Sequence, residues 1–343
     1  MSHWNNHAYY YGIIKEYFDS LVNNPETDFR SLDSLIDKIQ EPLRTLKRSY
    51  MYQNVSVDYS DPMTRLAYLY YYVPAYAMMT DLLWRNYKTA IRSNVTEALL
   101  SNKPYKIGFF GAGPGSEAIA ALSSIRSDFL HRHNGQEHSE KSGPSLEFSF
   151  FDNEKLWEKS RKALVEITMK KSNSRDESFT FLSTLNAEID IGLPTFETAY
   201  RDLLSDLDMF HYQFCMNETL ASNEIGHNTL INLQAVFTMM KQGSRIVIID
   251  NREYQKVEES LTHFENLLPE GSVKHSFRDP LRGQLFEAVP DLLDRDGSLV
   301  VRGTNDFPLQ NYRAPKRDHG RSMQLRSLAK RHINCGILVI EKE

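Results

Sequence analysis

Cysteine is almost missing from this chain: 343 residues hold two, Cys215 and Cys335. Two cysteines so far apart build neither a disulfide framework nor a paired thiolate metal site, and they fit a reducing compartment. Long apolar runs are missing too. No stretch approaches the roughly 20 residues that a membrane-spanning helix needs. The N-terminus "MSHWNNHAYYYG" lacks the charged-then-apolar order of a secretory signal, so a cytoplasmic protein with no membrane role is expected. Neither sign of charge dominates: 40 Lys and Arg against 45 Asp and Glu leave a formal net charge of -5. That gives no general attraction to nucleic acid. No internal repeat of solenoid length is visible. What is present is 41% hydrophobic and 25% charged, the balance of a globular chain able to bury a full core.

Aromatic residues are plentiful, and the 18 tyrosines crowd the part of the chain before residue 90. Residues 1–100 carry helical periodicity without a strand pattern, as in "YYYGIIKEYFDSLV" and "RLAYLYYYVPAYAMMTDLL", which predicts an all-helical N-terminal lobe. Pro62 suits a first helical turn, while Pro74 should kink or split the helix it interrupts. Over 101–343 short apolar runs alternate with amphipathic helices, the rhythm of βαβ units and of an α/β domain with a mostly parallel sheet. Strands are predicted at "KIGFFG", "LEFSFFD", "FTFLST", "DMFHYQF", "SRIVIID" and "CGILVIEKE". Between about 270 and 333 the topology is not legible, although "GSLVVRGTN" offers a further strand.

The first strand runs into "GAGPGSEA" and then a helix, which is the context of a glycine-rich cofactor loop. Gly111 and Gly113 permit a tight turn, and Gly115 lets a helix begin close to a ligand with its N–H groups pointing at it. A dinucleotide loop has the spacing G-x-G-x-x-G and places a pyrophosphate on the helix N-terminus. Here the spacing is G-x-G-x-G, and Glu117 would set a carboxylate where that dianion belongs. A ligand carrying an amino group suits it better. The second strand ends in Asp152, placed to accept the hydroxyls of a ribose, although it would equally cap the helix that follows.

At these residues the chain resembles the class I S-adenosylmethionine-dependent methyltransferases, over roughly residues 75–250. "IGFFGAGPGSE", "FSFFDNE", the strand entering "FCMNETL" and "MKQGSRIVIIDN" carry the resemblance. It implies a Rossmann-like methyltransferase sheet of about seven strands with helices on both faces, and S-adenosylmethionine as cofactor. Gly111, Ala112, Gly113 and Gly115 would form the loop, Asp152 with Asn153 would meet the ribose, and Asn186 or Glu188 the adenine. Phe109 stands where the family commonly has an acid, which makes Glu117 the candidate for the α-amino end of the methionine.

The resemblance places groups facing the transferred methyl at the end of the fourth strand, here Asn217 and Glu218, which also suit a helix start. No Pro-Pro-aromatic motif of amino-directed nucleic-acid methylation is present, and Cys215 on its apolar strand reads as core. Tyr68, Tyr72 and Tyr76 recur at helical spacing with Arg65 nearby, either as an aromatic lid over an acceptor or as ordinary core packing. Tyr72 is also taken as a candidate catalytic residue. No metal is expected, since His131, His133 and His138 lie in a polar stretch without a framework. Residues 313–332 carry seven Lys or Arg against one Asp, a patch that could meet RNA phosphates or simply be solvated. The expectation is methyl transfer to a small molecule. RNA methylation, aminocarboxypropyl transfer from the same cofactor and a non-catalytic binding module stay open, as does the oligomeric state.

Overall fold

A computed structural model describes residues 4–52, 57–86, 91, 95, 98, 103–133, 145–172, 180–188, 191–192, 196–220, 223–251, 255–280 and 335–343. These divide into two compact units, one ending at Met79 and one beginning at Thr80. The boundary expected at residue 100 therefore moves to the middle of a helix. The second half of that helix, from Thr80, belongs with the sheet because Thr80 donates from Oγ1 to Gln213, and Trp84 from Nε1 to His211 at 3.5 Å.

The first unit is helical: α1 (Trp4–Val22), α2 (Leu32–Lys38), α3 (Gln40–Tyr52), α4 (Pro62–Tyr71) and the start of α5 (Val73–Asn86). Tyr10, Ile13, Ile14, Tyr17 and Phe18 recur at the helical period and are all buried. Each such side chain contributes roughly 1.5–3 kcal/mol relative to exposure. Asp61 starts α4 by accepting from the N–H groups of Met63 and Thr64 at 3.1 and 2.9 Å, with Pro62 next to it where no N–H is needed. Pro74 splits the tyrosine segment into α4 and α5. The split is mild, since Tyr76 N–H still donates to the carbonyl of Tyr72 at 2.9 Å.

The second unit is mixed α/β. Its strands are β1 (Tyr105–Phe110), β2 (Ser145–Asp152), β3 (Thr180–Glu188), β4 (Met209–Gln213), β5 (Arg245–Asn251), β6 (Val273–Pro280) and β7 (Cys335–Lys342). They form one sheet in the order β3-β2-β1-β4-β5-β7-β6, in which β7 runs antiparallel to both its neighbours and the pairs among β1 to β5 are parallel. Helices fill the connections: α6 (Ser116–His133), α7 (Glu158–Ser172), α8 (Phe196–Asp206), the single turn α9 (Met216–Thr219), α10 (Asn223–Met239) and α11 (Gln255–Asn266). The sequence reading missed α8 and β6. In "VKHSFRDP" four charged or imidazole side chains interrupt the apolar rhythm, which suits an outer strand paired on one side only.

Parallel, in-register pairing stacks like residues across neighbouring strands. Phe110 pairs with Phe151 on one side and Tyr212 on the other, and its ring lies 4.5 Å from each, at 10° and 14°. That ladder joins Leu204, Leu233, Val236, Phe237 and Phe264 in a core against α8, α10 and α11. One residue earlier, on the opposite face, Phe109 lies 5.7 Å from Phe150 and 5.6 Å from the ring of His211, which lies 6.1 Å from Trp84. The neighbouring α6 contributes an unbroken buried run from Ala118 to Leu122.

Candidate functional site

Strand order reverses direction between β1 and β4, and the carboxyl ends of strands at such a switch point are where open α/β sheets leave a crevice for ligands. The loop after β1 occupies that place. Gly111, Gly113 and Gly115 take φ values of 61°, 46° and 81°, a region that a side chain enters only at a cost. Gly111 has a second reason to be glycine: a Cβ there would lie 2.5 Å from Cβ of Cys215. Cys215, buried with Sγ 3.5 Å from the carbonyl of Phe110, is core. Around Gly113 a Cβ would meet nothing within 4 Å, so the middle of the loop faces open space.

The loop is tied down from behind. Ala112 N–H donates to Phe151 and Gly115 N–H to Ala112, and α6 follows with Ile119 N–H donating to Gly115. At the end of β2, Asp152 accepts from Gly113 N–H at 2.5 Å through one oxygen and from Glu154 N–H at 2.8 Å through the other. Arg161 donates from Nε and Nη2 to the carbonyl of Gly113 at 2.9 and 2.7 Å, and its guanidinium lies 5.0 Å from the centre of the Phe150 ring. Both polar ends of Gly113 are thus fixed by charged side chains. Each carboxylate oxygen of Asp152 has a further lone pair for a ligand hydroxyl.

Glu117 sits in the first turn of α6, 4% exposed, with Ser116 Oγ donating to its Oε2 at 2.9 Å. Burial pushes its carboxyl up to about 7, opposed by its own backbone N–H, by Ser116 and by Arg161, while Asp152 adds to the rise. Burial also raises Asp152, against the hydrogen bonds from Gly113 and Glu154, and lowers Arg161. Two acids and one arginine share this small buried space. Phe109, in the place where an acid was sought, is fully buried among Phe148, Phe150 and His211 and offers no charge.

The other strand ends complete the crevice. After β4 the backbone turns through Phe214 at φ 54°, with its N–H donating to Ile249. Asp250, at the end of β5 and buried, accepts from Met216 N–H at 2.9 Å and so fixes the start of α9. Asn217 and Glu218 fall in that turn, and Asn186 and Glu188 pair by backbone with Phe150 and Asp152. Their side chains lie outside what is described. Asn153 is exposed beside Asp152.

In the helical unit, Tyr68, Tyr72 and Tyr76 do meet: ring centres are 4.9 Å apart for the first pair and 5.5 Å for the second. Tyr72 and Tyr76 are buried and Tyr68 partly exposed. Arg65 Nη1 is committed to the carbonyls of Tyr59 and Ser60. His138, residues 313–332 and "GSLVVRGTN" lie outside the described residues. Among the described residues no group of three His, Cys, Asp or Glu could hold a metal ion, and no helix is long and apolar enough to cross a membrane.

Arg161 is the residue that sequence reasoning overlooked. Its signal was there: Arg161, Leu164, Val165 and Thr168 recur at i, i+3, i+4 and i+7 and are all buried, so the arginine sits on the apolar face of α7. A cation placed so must have a partner, and that partner is the loop.

No protein-family model matches the sequence, and no curated protein matches it. Solved structures similar to it include the CMeT domain of the citrinin polyketide synthase, at 11% identity and a TM-score of 0.39 over 96% of this chain and 78% of that one. The CurJ carbon methyltransferase is similar at 10% identity and a TM-score of 0.38, over 95% of this chain and 70% of that one. The DszA carbon methyltransferase follows at 11% and 0.35, over 95% and 69%.

Proposed function

We propose that the sheet-bearing unit binds S-adenosylmethionine and that the protein is a methyltransferase acting on a small molecule. The observation that carries this reading is the strand order. The dinucleotide fold runs 3-2-1-4-5-6 and is parallel throughout, whereas here an antiparallel β7 is inserted beside β5, giving a mostly parallel sheet of seven strands as the resemblance to the class I methyltransferases implies. The site supports the same choice. A loop with open space at Gly113 admits a ligand, Asp152 at the end of β2 suits a ribose, and buried Glu117 opposes a pyrophosphate but favours an ammonium group.

When bound, that cofactor supplies an electrophilic methyl on a sulfonium centre. The protein's part is to bind and orient. Gly111 to Gly115 hold the methionine end against the start of α6, Asp152 accepts from ribose hydroxyls, and Asn186 and Glu188 lie one strand further, where the adenine would be read. Aligning an acceptor that is already nucleophilic needs no general base. Asn217 and Glu218 in α9 are the candidates for orienting it. The small-molecule acceptor rests on the net charge of -5 and on the missing nucleic-acid motifs.

Calorimetric titration with S-adenosylmethionine, S-adenosylhomocysteine and NAD tests the reading. Binding of the first two with no response to NAD supports it. Tight NAD binding with silence from the others would overturn it. Asp152→Ala should weaken adenosyl binding at least tenfold, and unchanged affinity would remove the ribose role.

A further inference from the structure

Two polar side chains of β4 stand on the same face of the sheet and meet α5 in two matched steps. Gln213 accepts from Thr80 Oγ1 through Oε1, and His211 accepts from Trp84 Nε1 through Nε2 at 3.5 Å. Residues two apart on a strand lie about 6.6 Å apart on one face, and residues four apart on a helix rise about 6 Å, so the two contacts stay in step with α5 running opposite to β4.

Each step leaves one side-chain nitrogen over. An indole nitrogen only donates, so His211 Nε2 carries the lone pair and the proton of the neutral ring stands on Nδ1. Burial keeps the ring neutral, pushing it down to about 3. Both His211 Nδ1 and Gln213 Nε2 are sealed from solvent, and no acceptor on the protein reaches either of them. Buried N–H groups are rarely left in that state.

We propose that one ordered water lies between β4 and α5 and accepts from both Gln213 Nε2 and His211 Nδ1. It closes a chain that runs from Thr80 through Gln213, the water and His211 to Trp84, and it is independent of the S-adenosylmethionine reading. The chemistry of the site selects this occupant. The two nitrogens offer N–H donors and no lone pair, which excludes a metal ion or an ammonium group. An anion is disfavoured as well: Asp81 on α5 and Asp250 on β5 are buried acids, while buried Arg245 of β5 is paired with Glu341. An uncharged oxygen remains.

The walls set its size. Val247 and Ile249, the β5 partners of His211 and Gln213, are buried, as is Phe109, whose ring lies 5.6 Å from that of His211. Sealed nitrogens among apolar walls admit nothing larger than water. One oxygen about 3 Å from each of two donors bridges up to about 6 Å, close to the spacing of alternate residues on a strand. Thr80 Oγ1 donates its own proton to Gln213 and keeps lone pairs for a hydrogen of the water. That gives three partners, the usual number for a buried water. Gln213 is the last residue of β4 and leads into Phe214 at φ 54°, so the water steadies the residue from which that turn springs.

Nuclear magnetic resonance of the ligand-free protein, with 15N in histidine and glutamine side chains, reads the site. His211 should show a protonated Nδ1 and an unprotonated Nε2. Its Nδ1–H and the Gln213 amide protons should both show cross-relaxation to water that changes sign between the laboratory and rotating frames, the mark of a bound water rather than of exchange. Gln213→Met should abolish the contact at Nδ1–H and lower Tm by about 3 °C or more, because the bridge and the Thr80 bond are both lost. The opposite tautomer, or no water contact at either nitrogen in wild type, would overturn the inference. So would a contact at His211 that survives Gln213→Met, or a Tm that rises in that variant, since the amide would then have had no partner to lose. The wild-type spectra decide the matter even where Gln213→Met fails to fold.

Discussion

Arg161 and Gly113 are joined by two hydrogen bonds, at 2.9 and 2.7 Å, from one buried guanidinium to one loop carbonyl. Asp152 holds the N–H of the same glycine. The peptide groups on either side of Gly113 therefore cannot rotate, and the loop is preorganised before any ligand arrives.

The consequence is measurable at Arg161. A hydrogen bond from a charged donor is worth roughly 1.5–3 kcal/mol, and removing the donor leaves the Gly113 carbonyl unsatisfied and Asp152 without its counter-charge. Arg161→Ala should lower stability by about that amount in urea melts and weaken S-adenosylmethionine binding by about tenfold or more. Arg161→Lys retains charge but not the fork, and should recover only part of the affinity. Wild-type affinity in Arg161→Ala would show that the clamp has no part in binding.

The three glycines should respond differently to alanine. At Gly111 a methyl meets Cys215 at 2.5 Å and the backbone is left-handed, so Gly111→Ala combines overpacking with conformational strain, about 2–4 kcal/mol in all. At Gly113 there is strain without collision, about 1–2 kcal/mol, and the new methyl intrudes on the open space proposed for the ligand. Thermal melts should rank Gly111→Ala as the less stable protein, while titration shows Gly113→Ala folded and weak in binding. Adding Cys215→Gly to Gly111→Ala should restore part of the lost stability, because the colliding atom is the cysteine Cβ.

Much of this was legible along the chain, for identifiable reasons. Alternation of buried strands with amphipathic helices is a local pattern, so β1, β2, β4 and β5 lie within a residue or two of where "KIGFFG", "LEFSFFD", "DMFHYQF" and "SRIVIID" put them. Gly111 and Asp152 are recognisable because turn and strand end are local as well. Arg161 was not, since its meaning comes from a carbonyl 48 positions away. Likewise β6 carries too many charged residues to advertise itself, and it exists through pairing with β7, whose partner residues lie more than 50 positions further on. The unit boundary moved for the same reason: Thr80 and Trp84 look like their helical neighbours until Gln213 and His211 are brought against them.

His211 should give the protein an acid-sensitive component of stability. Fully buried and, among the described residues, hydrogen-bonded through Nε2 to Trp84, it is pushed down to about 3 by burial. In the unfolded chain it takes up a proton near pH 6.5, so between about 6.5 and 3 the unfolded state binds more protons and stability falls as pH falls. By pH 5 the loss is about 2 kcal/mol. His211→Gln, which keeps an acceptor for Trp84, should flatten that part of the stability profile in urea melts from pH 7 to pH 4. An unchanged slope would mean that the ring is solvated.

Glu117 contributes with the opposite sign. Its carboxyl is raised to about 7 in the folded protein from 4.5, so between those values the folded state holds a proton that the unfolded state has released. Stability from this group is therefore greatest below about pH 4.5, falls as pH rises, and is lowest above about 7, where ionising the buried carboxyl costs roughly 3 kcal/mol. Without ligand, Glu117→Gln should melt at a higher urea concentration than wild type at pH 8 and at the same concentration at pH 4. Adding S-adenosylmethionine at pH 8 should reverse the order, since only the carboxylate can pair with the ammonium. A variant equally stable at both pH values would show that Glu117 is ionised at little cost.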